Sequence, residues 1–170
     1  GVVAARGAIA MNTWALTGGK VLFGEEEGPT FDSGDGTENA PYIIKTEAQL
    51  RAFAATTAEG TDYSGSFVAL DADIALSGEW TPVHAFAGSF DGRNHTVSGM
   101  TIGAANAPAA LTSAGFFDYL ANGASVRNLK LTDAAIYVQT SGYDRCFAGA
   151  LVGGANGVGR NVTIDHCSVT

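Results

Sequence analysis

The chain has 170 residues, 46% of them hydrophobic, which fits one domain with a buried core. Lys and Arg number 9 against 17 Asp and Glu, a formal charge of -8 that argues against nucleic acid and anionic membranes as partners. No apolar run is long enough to span a bilayer, and two cysteines do not make a disulfide scaffold.

In chain order, residues 1–40 read as a strand and linker segment, and residues 41–170 as the folded body. The opening Gly1-Val2-Val3-Ala4-Ala5-Arg6 lacks a basic region followed by an apolar one, so it is not an intact signal peptide. Ala8-Ile9-Ala10-Met11 and Val21-Leu22-Phe23 read as strands, with Gly18-Gly19 as the turn between them. A polar, Gly- and Asp-rich loop follows through Asn39. Within it, Asp32-Ser33-Gly34-Asp35-Gly36-Thr37-Glu38 hints at a calcium loop but lacks the alternating oxygen ligands and distant Glu of an EF-hand. A turn-rich linker is the better reading.

Pro41-Tyr42-Ile43-Ile44 reads as a strand. Thr46 then offers an N-cap with Gln49 three residues on, a capping box. Leu50, Phe53 and Ala54 fall on one face at helical spacing, which predicts a helix over about 47–58, ended by Gly60. Phe67-Val68-Ala69-Leu70, Asp73-Ile74-Ala75-Leu76 and Trp80-Thr81-Pro82-Val83 are extended.

From Phe86 onward the chain repeats itself. Phe86-Ala87-Gly88-Ser89-Phe90-Asp91-Gly92 is answered by Phe147-Ala148-Gly149-Ala150-Leu151-Val152-Gly153. Ala114-Gly115-Phe116-Phe117 continues to Ala121-Asn122-Gly123, as Ala148-Gly149-Ala150-Leu151 continues to Ala155-Asn156-Gly157. A second phrase recurs as Thr96-Val97-Ser98-Gly99-Met100-Thr101-Ile102, Ser125-Val126-Arg127-Asn128-Leu129-Lys130-Leu131 and Thr163-Ile164-Asp165-His166-Cys167-Ser168-Val169. Such periods indicate a solenoid, because one unit cannot bury its apolar face alone. The expected columns are Val97/Val126/Ile164, Met100/Leu129/Cys167 and Ile102/Leu131/Val169. Asn128, aligned with Gly99 and His166, is expected in a bend. Residues 103–112 and 134–145 are expected as insertions on the outside.

These motifs carry a resemblance. Pro41-Tyr42-Ile43-Ile44, the Gln49-Leu50 helix, Asp73-Ile74-Ala75-Leu76, Trp80-Thr81-Pro82-Val83, Phe86-Ala87-Gly88-Ser89-Phe90-Asp91-Gly92 and Ala150-Leu151-Val152-Gly153 resemble secreted bacterial proteins with GLUG-type repeats. Departures are Ala150 where that family usually has Gly, and Asp118 closing Gly115-Phe116-Phe117-Asp118. The resemblance implies a mainly β fold, the start of a right-handed parallel β-helix with the helix as its N-terminal cap. It also implies an extracellular or cell-surface setting, in surface or adhesin-like proteins or ahead of the catalytic domain of a secreted peptidase. It assigns no catalytic residue.

The polar residues are weighed accordingly. Asp91, Asp118, Asp133 and Asp165 are the carboxylates that a β-helix glycan lyase or hydrolase would use, but Asp91 and Asp118 sit where a carboxylate bonds its own turn. His84, His95 and His166 have no metal-ligand spacing, and no cofactor is expected. His166-Cys167 look like base and nucleophile, yet neighbours along a strand face opposite ways. Cys167 reads as a small hydrophobe, with a Cys146–Cys167 disulfide as the lesser alternative. The sequons at Asn94 and Asn161 read as chance. Of the aromatics Trp14, Trp80, Phe116, Phe117, Tyr119, Tyr137 and Tyr143, most are expected in the core. Tyr137, Tyr143 and Asp144 form the candidate surface for a host glycan or protein.

Thr170 follows directly on an apolar strand, so the expectation is a longer protein or a last edge filled by another chain, through strand addition or end-to-end self-association. Residues 8–23 are the candidate donated strand. The functional reading is an extracellular, non-catalytic structural or adhesin-like module. The alternatives are an accessory domain of a secreted enzyme, a glycan hydrolase or lyase with an incomplete site, and a filament subunit.

Overall fold

A computed structural model describes residues 14–17, 20–23, 31–140, 145–155 and 161–170. Strands β1 (Trp14–Thr17) and β2 (Lys20–Phe23) pair antiparallel, Thr17 opposite Lys20. The expected partner for the second strand was residues 8–11, which lie outside the described residues. The observed partner is residues 14–17.

Strand β3 (Tyr42–Ile44) leads into helix α1 (Glu47–Ala58). The capping box is formed. The Thr46 side chain accepts from the Gln49 N–H, and the Gln49 side chain accepts from the Thr46 N–H. Leu50, Phe53, Ala54 and Thr57 are the buried face. Thr57, the one buried polar residue among those described, donates to the Ala54 carbonyl (2.6 Å) and accepts from the His84 N–H (2.8 Å). That second bond ties the helix to the chain beyond it.

The remaining strands come in layers. β4 (Phe67–Leu70) and β5 (Ile74–Ala75) belong to one layer. β6 (Ser89–Asp91), β7 (Thr96–Ser98), β8 (Thr101–Ile102), β9 (Ala109–Ala110), β10 (Ser113–Ala114) and β11 (Phe117–Leu120) form the next. β12 (Ser125–Arg127), β13 (Lys130–Thr132), β14 (Ala135–Ile136), β15 (Val138–Gln139), β16 (Phe147–Ala148) and β17 (Val152–Ala155) repeat that succession. β18 (Thr163–Asp165) and β19 (Ser168–Val169) open another. Apart from β1 and β2, these strands pair in parallel. One sheet has the order β18-β12-β6-β4-β3, another β19-β13-β7-β5, and β14-β8, β15-β9, β16-β10 and β17-β11 pair two by two. The protein is thus mainly β, built of parallel strands with one described helix.

Stacking in register puts like residues over one another. Val68, Phe90, Val126 and Ile164 form one apolar column, and Ile74, Val97, Leu131 and Val169 another. Val68, Phe90, Val97, Val126 and Leu131 are at most 1% exposed. Between the columns lie rings. Phe86 meets Phe117 at 5.4 Å and Phe90 meets Phe117 at 5.6 Å, while Trp80 stacks on Phe116 at 5.2 Å and donates from Nε1 to its carbonyl. Trp80, Phe116 and Phe117 are buried, as expected.

The register differs from the sequence alignment in the first copy. Val97 lies over Leu131 and not over Val126, whose neighbour is Phe90. Ile102 pairs with Ile136 rather than Leu131. The Met100 carbonyl receives the Ala135 N–H, so Met100 is not stacked with Leu129 and Cys167. The cause is loop length. Residues 92–95 separate β6 from β7, whereas only 128 and 129 separate β12 from β13. The phrase 96–102 therefore imitates 125–131 one strand out of step. The alignment of 125–131 with 163–169 holds: Val126 pairs with Ile164 and Leu131 with Val169. The alignment of 86–92 with 147–153 does not hold: Phe147 pairs with Ser113, and Phe86 bridges to Leu120.

Residues 103–112 and 134–140 are not outside the stack. They carry β9, β14 and β15, and Ala109, Leu111, Ile136 and Val138 pack against the core. Two-residue strands leave no alternation to read. Asn128 does sit in a bend. Its φ of 53° is left-handed, as are Gly99 at 73° and His166 at 49°. The Asn128 N–H bonds the Asp165 carbonyl of the next layer. Gly92 has no room for a side chain, since a Cβ would fall 2.5 Å from the Asn128 carbonyl oxygen.

Phe90→Ala opens a cavity in the central column and lowers stability by about 3–5 kcal/mol. Denaturant unfolding followed by circular dichroism measures this, and a loss near zero would contradict the stacked core.

Candidate functional site

The outward side of the five-stranded sheet holds a polar depression. Because side chains alternate, Phe67 and Ala69, Ser89 and Asp91, and Ser125 and Arg127 face away from the buried column. Layers lie about 4.8 Å apart, so these residues form a lattice. Small side chains at Ala69, Ser89 and Ser125 leave a depression, walled by residues 38–41 on one side and by Arg93 and Arg127 on the other. The empty space is about 620 Å³, including open solvent at the mouth.

Charges across this face join one layer to the next. Arg127 Nε donates to Asp91 Oδ2 (2.9 Å), and Asn128 Nδ2 donates to Asp91 Oδ1 (3.0 Å). The Arg93 N–H also bonds Asp91 (2.9 Å). Burial alone would raise the Asp91 pKa. The Asn128 and Arg93 bonds and the Arg127 charge outweigh it, so Asp91 lies below its ordinary value. Arg93 pairs with Asp71 (3.1 Å), and Asp73 accepts from the Thr96 N–H (2.8 Å) and faces His95 Nδ1 (3.1 Å). The Thr96 bond is the main reason that Asp73 also lies low. At the helix, Glu47 accepts from the Ser77 N–H (2.8 Å) and from Arg51, whose Nη1 reaches the Glu79 carbonyl (2.8 Å). The Ser77 backbone bond leads in holding Glu47 low, against a smaller opposing effect of burial.

The carboxylates singled out from the sequence do not converge. Asp91 and Asp165 sit in one outward column with Arg127 between them. Asp118 accepts from the Ala85 N–H (3.2 Å), the Tyr119 N–H and the exposed His84 ring. Asp133 occupies a left-handed bend and donates its N–H to the Thr170 carbonyl. His166 is exposed and contacts Asp165 (2.8 Å), while Cys167 packs against the core. The two do not face each other. Cys146 and Cys167 are free thiols: Cys146 precedes β16, whereas Cys167 lies between β18 and β19, on different sheets. Asp35 spends its carboxylate on Thr37, accepting from its N–H (3.0 Å) and hydroxyl (2.8 Å), and the backbone bond lowers its pKa most. Among the described residues, no three His, Cys, Asp or Glu side chains gather as metal ligands.

Tyr137 is 42% exposed, on the β14–β15 side of the stack. Tyr143 and Asp144 lie outside the described residues, as does the Trp14 side chain. The sequence reading missed the groove at Phe67, Ser89, Arg93 and Arg127. Alternation gives each residue's side of its strand, but only the register shows that these four meet.

No family model matches the chain. Among curated proteins, Halomucin of Haloquadratum walsbyi is 30% identical over 145 residues, which cover 77% of this chain and 2% of Halomucin. Among solved structures, a candidate immunoglobulin A1 protease from Bacteroides ovatus matches with a TM-score of 0.52 and 21% identity, over 84% of this chain and 51% of that one. At that identity the likeness is one of fold. It agrees with the mainly β, parallel arrangement.

Glu47, Asp73 and Asp91 are all held below their ordinary values when folded. The unfolded chain therefore takes up these protons first, and acid favours unfolding. Stability should be fully present above about pH 5 and fall as pH drops through the ordinary and then the lowered folded values. Urea midpoints measured from pH 7 down to pH 2.5 test this; a flat profile below pH 4 would rule the carboxylate contacts out as stabilising.

Proposed function

We propose that the chain is a non-catalytic structural or adhesin-like section of an extracellular, surface-associated bacterial protein. In this reading the layers are coils of a right-handed parallel β-helix of the GLUG-repeat kind, and α1 closes its first end. One observation carries it: the same succession of parallel strands recurs in register, with charged side chains pairing between neighbouring layers. The similarity to Halomucin supports it, since that name classes the relative with mucins.

A second reading is an accessory section of a secreted enzyme acting on glycans or host proteins, with catalysis elsewhere. The fold shared with a chain described as a candidate immunoglobulin A1 protease favours it. A glycan hydrolase built on Asp91 and Asp165 is less favoured, because Arg127 stands between them. Tyr137, Tyr143 and Asp144 remain the proposed contact surface for a host glycan or protein.

The surface reading is tested by labelling intact cells of the source organism with antibody to the chain. Label on the surface or in the culture medium is the expected result; confinement to the cytosolic fraction overturns it.

We propose in addition that copies of the chain associate through an edge of the stack. β3 is covered, since Asp32 and Ser33 bond Ile43 on its outer side and α1 lies over the core. At the other edge, Phe147, Ile164 and Val169 are 56%, 50% and 49% exposed. We place strand addition or association of copies at that second edge. Light scattering should give a mass above the monomer that falls on Ile164→Lys with Val169→Lys. A monodisperse monomer at high concentration removes self-association while leaving the surface reading intact.

A further inference from the structure

We propose that the groove on the outward side of β4, β6 and β12 binds a neutral glycan chain. The proposal deepens the adhesin-like reading and rests on it for where such a glycan is met, although binding itself is independent of location.

Shape comes first. Ser89 and Ser125 form a floor of small side chains beside the buried Ala69, bordered by Phe67 and by the guanidinium-bearing side chains of Arg93 and Arg127. A partly exposed ring beside convergent hydroxyl, carboxylate and guanidinium groups is the mixture that suits a ligand with both C–H and O–H faces. Arg127 engages Asp91 through Nε, and among the described residues its Nη donors make no bond. Its side chain is 57% exposed.

Charge then selects the ligand class. Arg127 is already paired with Asp91, and Arg93 with Asp71. A ligand anion would have to compete with these carboxylates and with the chain's charge of -8. A cation finds no gathered set of ligands among the described residues. Glu38, which also lines the groove, adds a negative charge that disfavours an anion further, and the groove's positive charges are already matched within the protein. Hydroxyl-rich, uncharged sugars match the groove.

Periodicity points to a chain rather than a single sugar. Ser89 and Ser125 are in register on adjacent strands, one layer apart. An extended oligosaccharide laid across β6 and β12 meets one hydroxyl on each of these two strands, about 4.8 Å apart, with the Phe67 ring one layer further on. This groove is separate from the surface at Tyr137, which lies on another strand pair.

The test is a ¹⁵N-HSQC titration of the whole chain with cellohexaose, xylohexaose, maltohexaose and chitohexaose. Trigalacturonate and inorganic phosphate serve as charged probes. The expected result is saturable shifts at the amides of Ser89, Asp91, Ser125 and Arg127 with at least one neutral hexasaccharide. Arg127→Ala and Ser125→Trp should each weaken that binding at least tenfold, while Lys130→Ala leaves it unchanged. If a variant fails to fold, the map of shifted amides on the unaltered chain still decides. No saturable shift at those amides with any neutral probe overturns the proposal. So does binding confined to trigalacturonate or phosphate, or binding that survives both groove variants. Surface labelling answers separately, so loss of glycan binding and loss of the surface reading can be told apart.

Discussion

Everything in this molecule depends on strands lying in parallel register, each layer directly on the one before. β6 and β12 have a partner on both edges, so their backbone groups are satisfied by the layers above and below. The same register brings Phe90 over Val68 and Val126 over Phe90, and the interior is dry because each column is apolar throughout. Left-handed bends at Asn128 and His166 recur at matched places, since a turn that stacks must repeat its conformation as well as its length.

A stack of this kind has two ends, and the first end is built differently from the rest. α1 lays Leu50, Phe53 and Ala54 over the interior, where apolar side chains would otherwise meet water. The helix is held by more than packing. Thr57 takes the His84 N–H, and the Glu47–Arg51 pair grips the backbone at Ser77 and Glu79, with Arg51 over the Trp80 ring at 5.9 Å. The bridge from Ser33 to Ile43 covers the edge of β3.

The outward face is a consequence of the inward one. Once Val68, Phe90 and Val126 point in, Ala69, Asp91 and Arg127 must point out and line up. Exposed ion pairs such as Asp91–Arg127 add little stability singly. Their more telling effect is chemical. They leave a surface rich in donors and acceptors with its positive charges already matched, and small residues in the lattice turn part of it into a groove.

Some of this could be read directly from the sequence, because it depends on neighbours along the chain. The capping box at Thr46 and Gln49, the extent of α1 and the bend at Asn128 are local matters of hydrogen bonding and backbone conformation. The match of 125–131 with 163–169 was equally legible, since both phrases have the same spacing. The step between the first copy and the second was not. The loop after β6 is two residues longer than the one after β12, so the phrase at 96–102, with its two-residue bend, copies 125–131 in pattern while stacking one strand further on. β9, β14 and β15 are too short to show alternation, so they passed for insertions. The sequence by itself determined that apolar residues recur and that layers must stack to bury them. Only the tertiary structure decided which residue lies over which, and therefore that Phe67, Ser89, Arg93 and Arg127 share one groove. Contacts between layers join residues far apart in the chain, and their identity is set by register, which no local preference encodes.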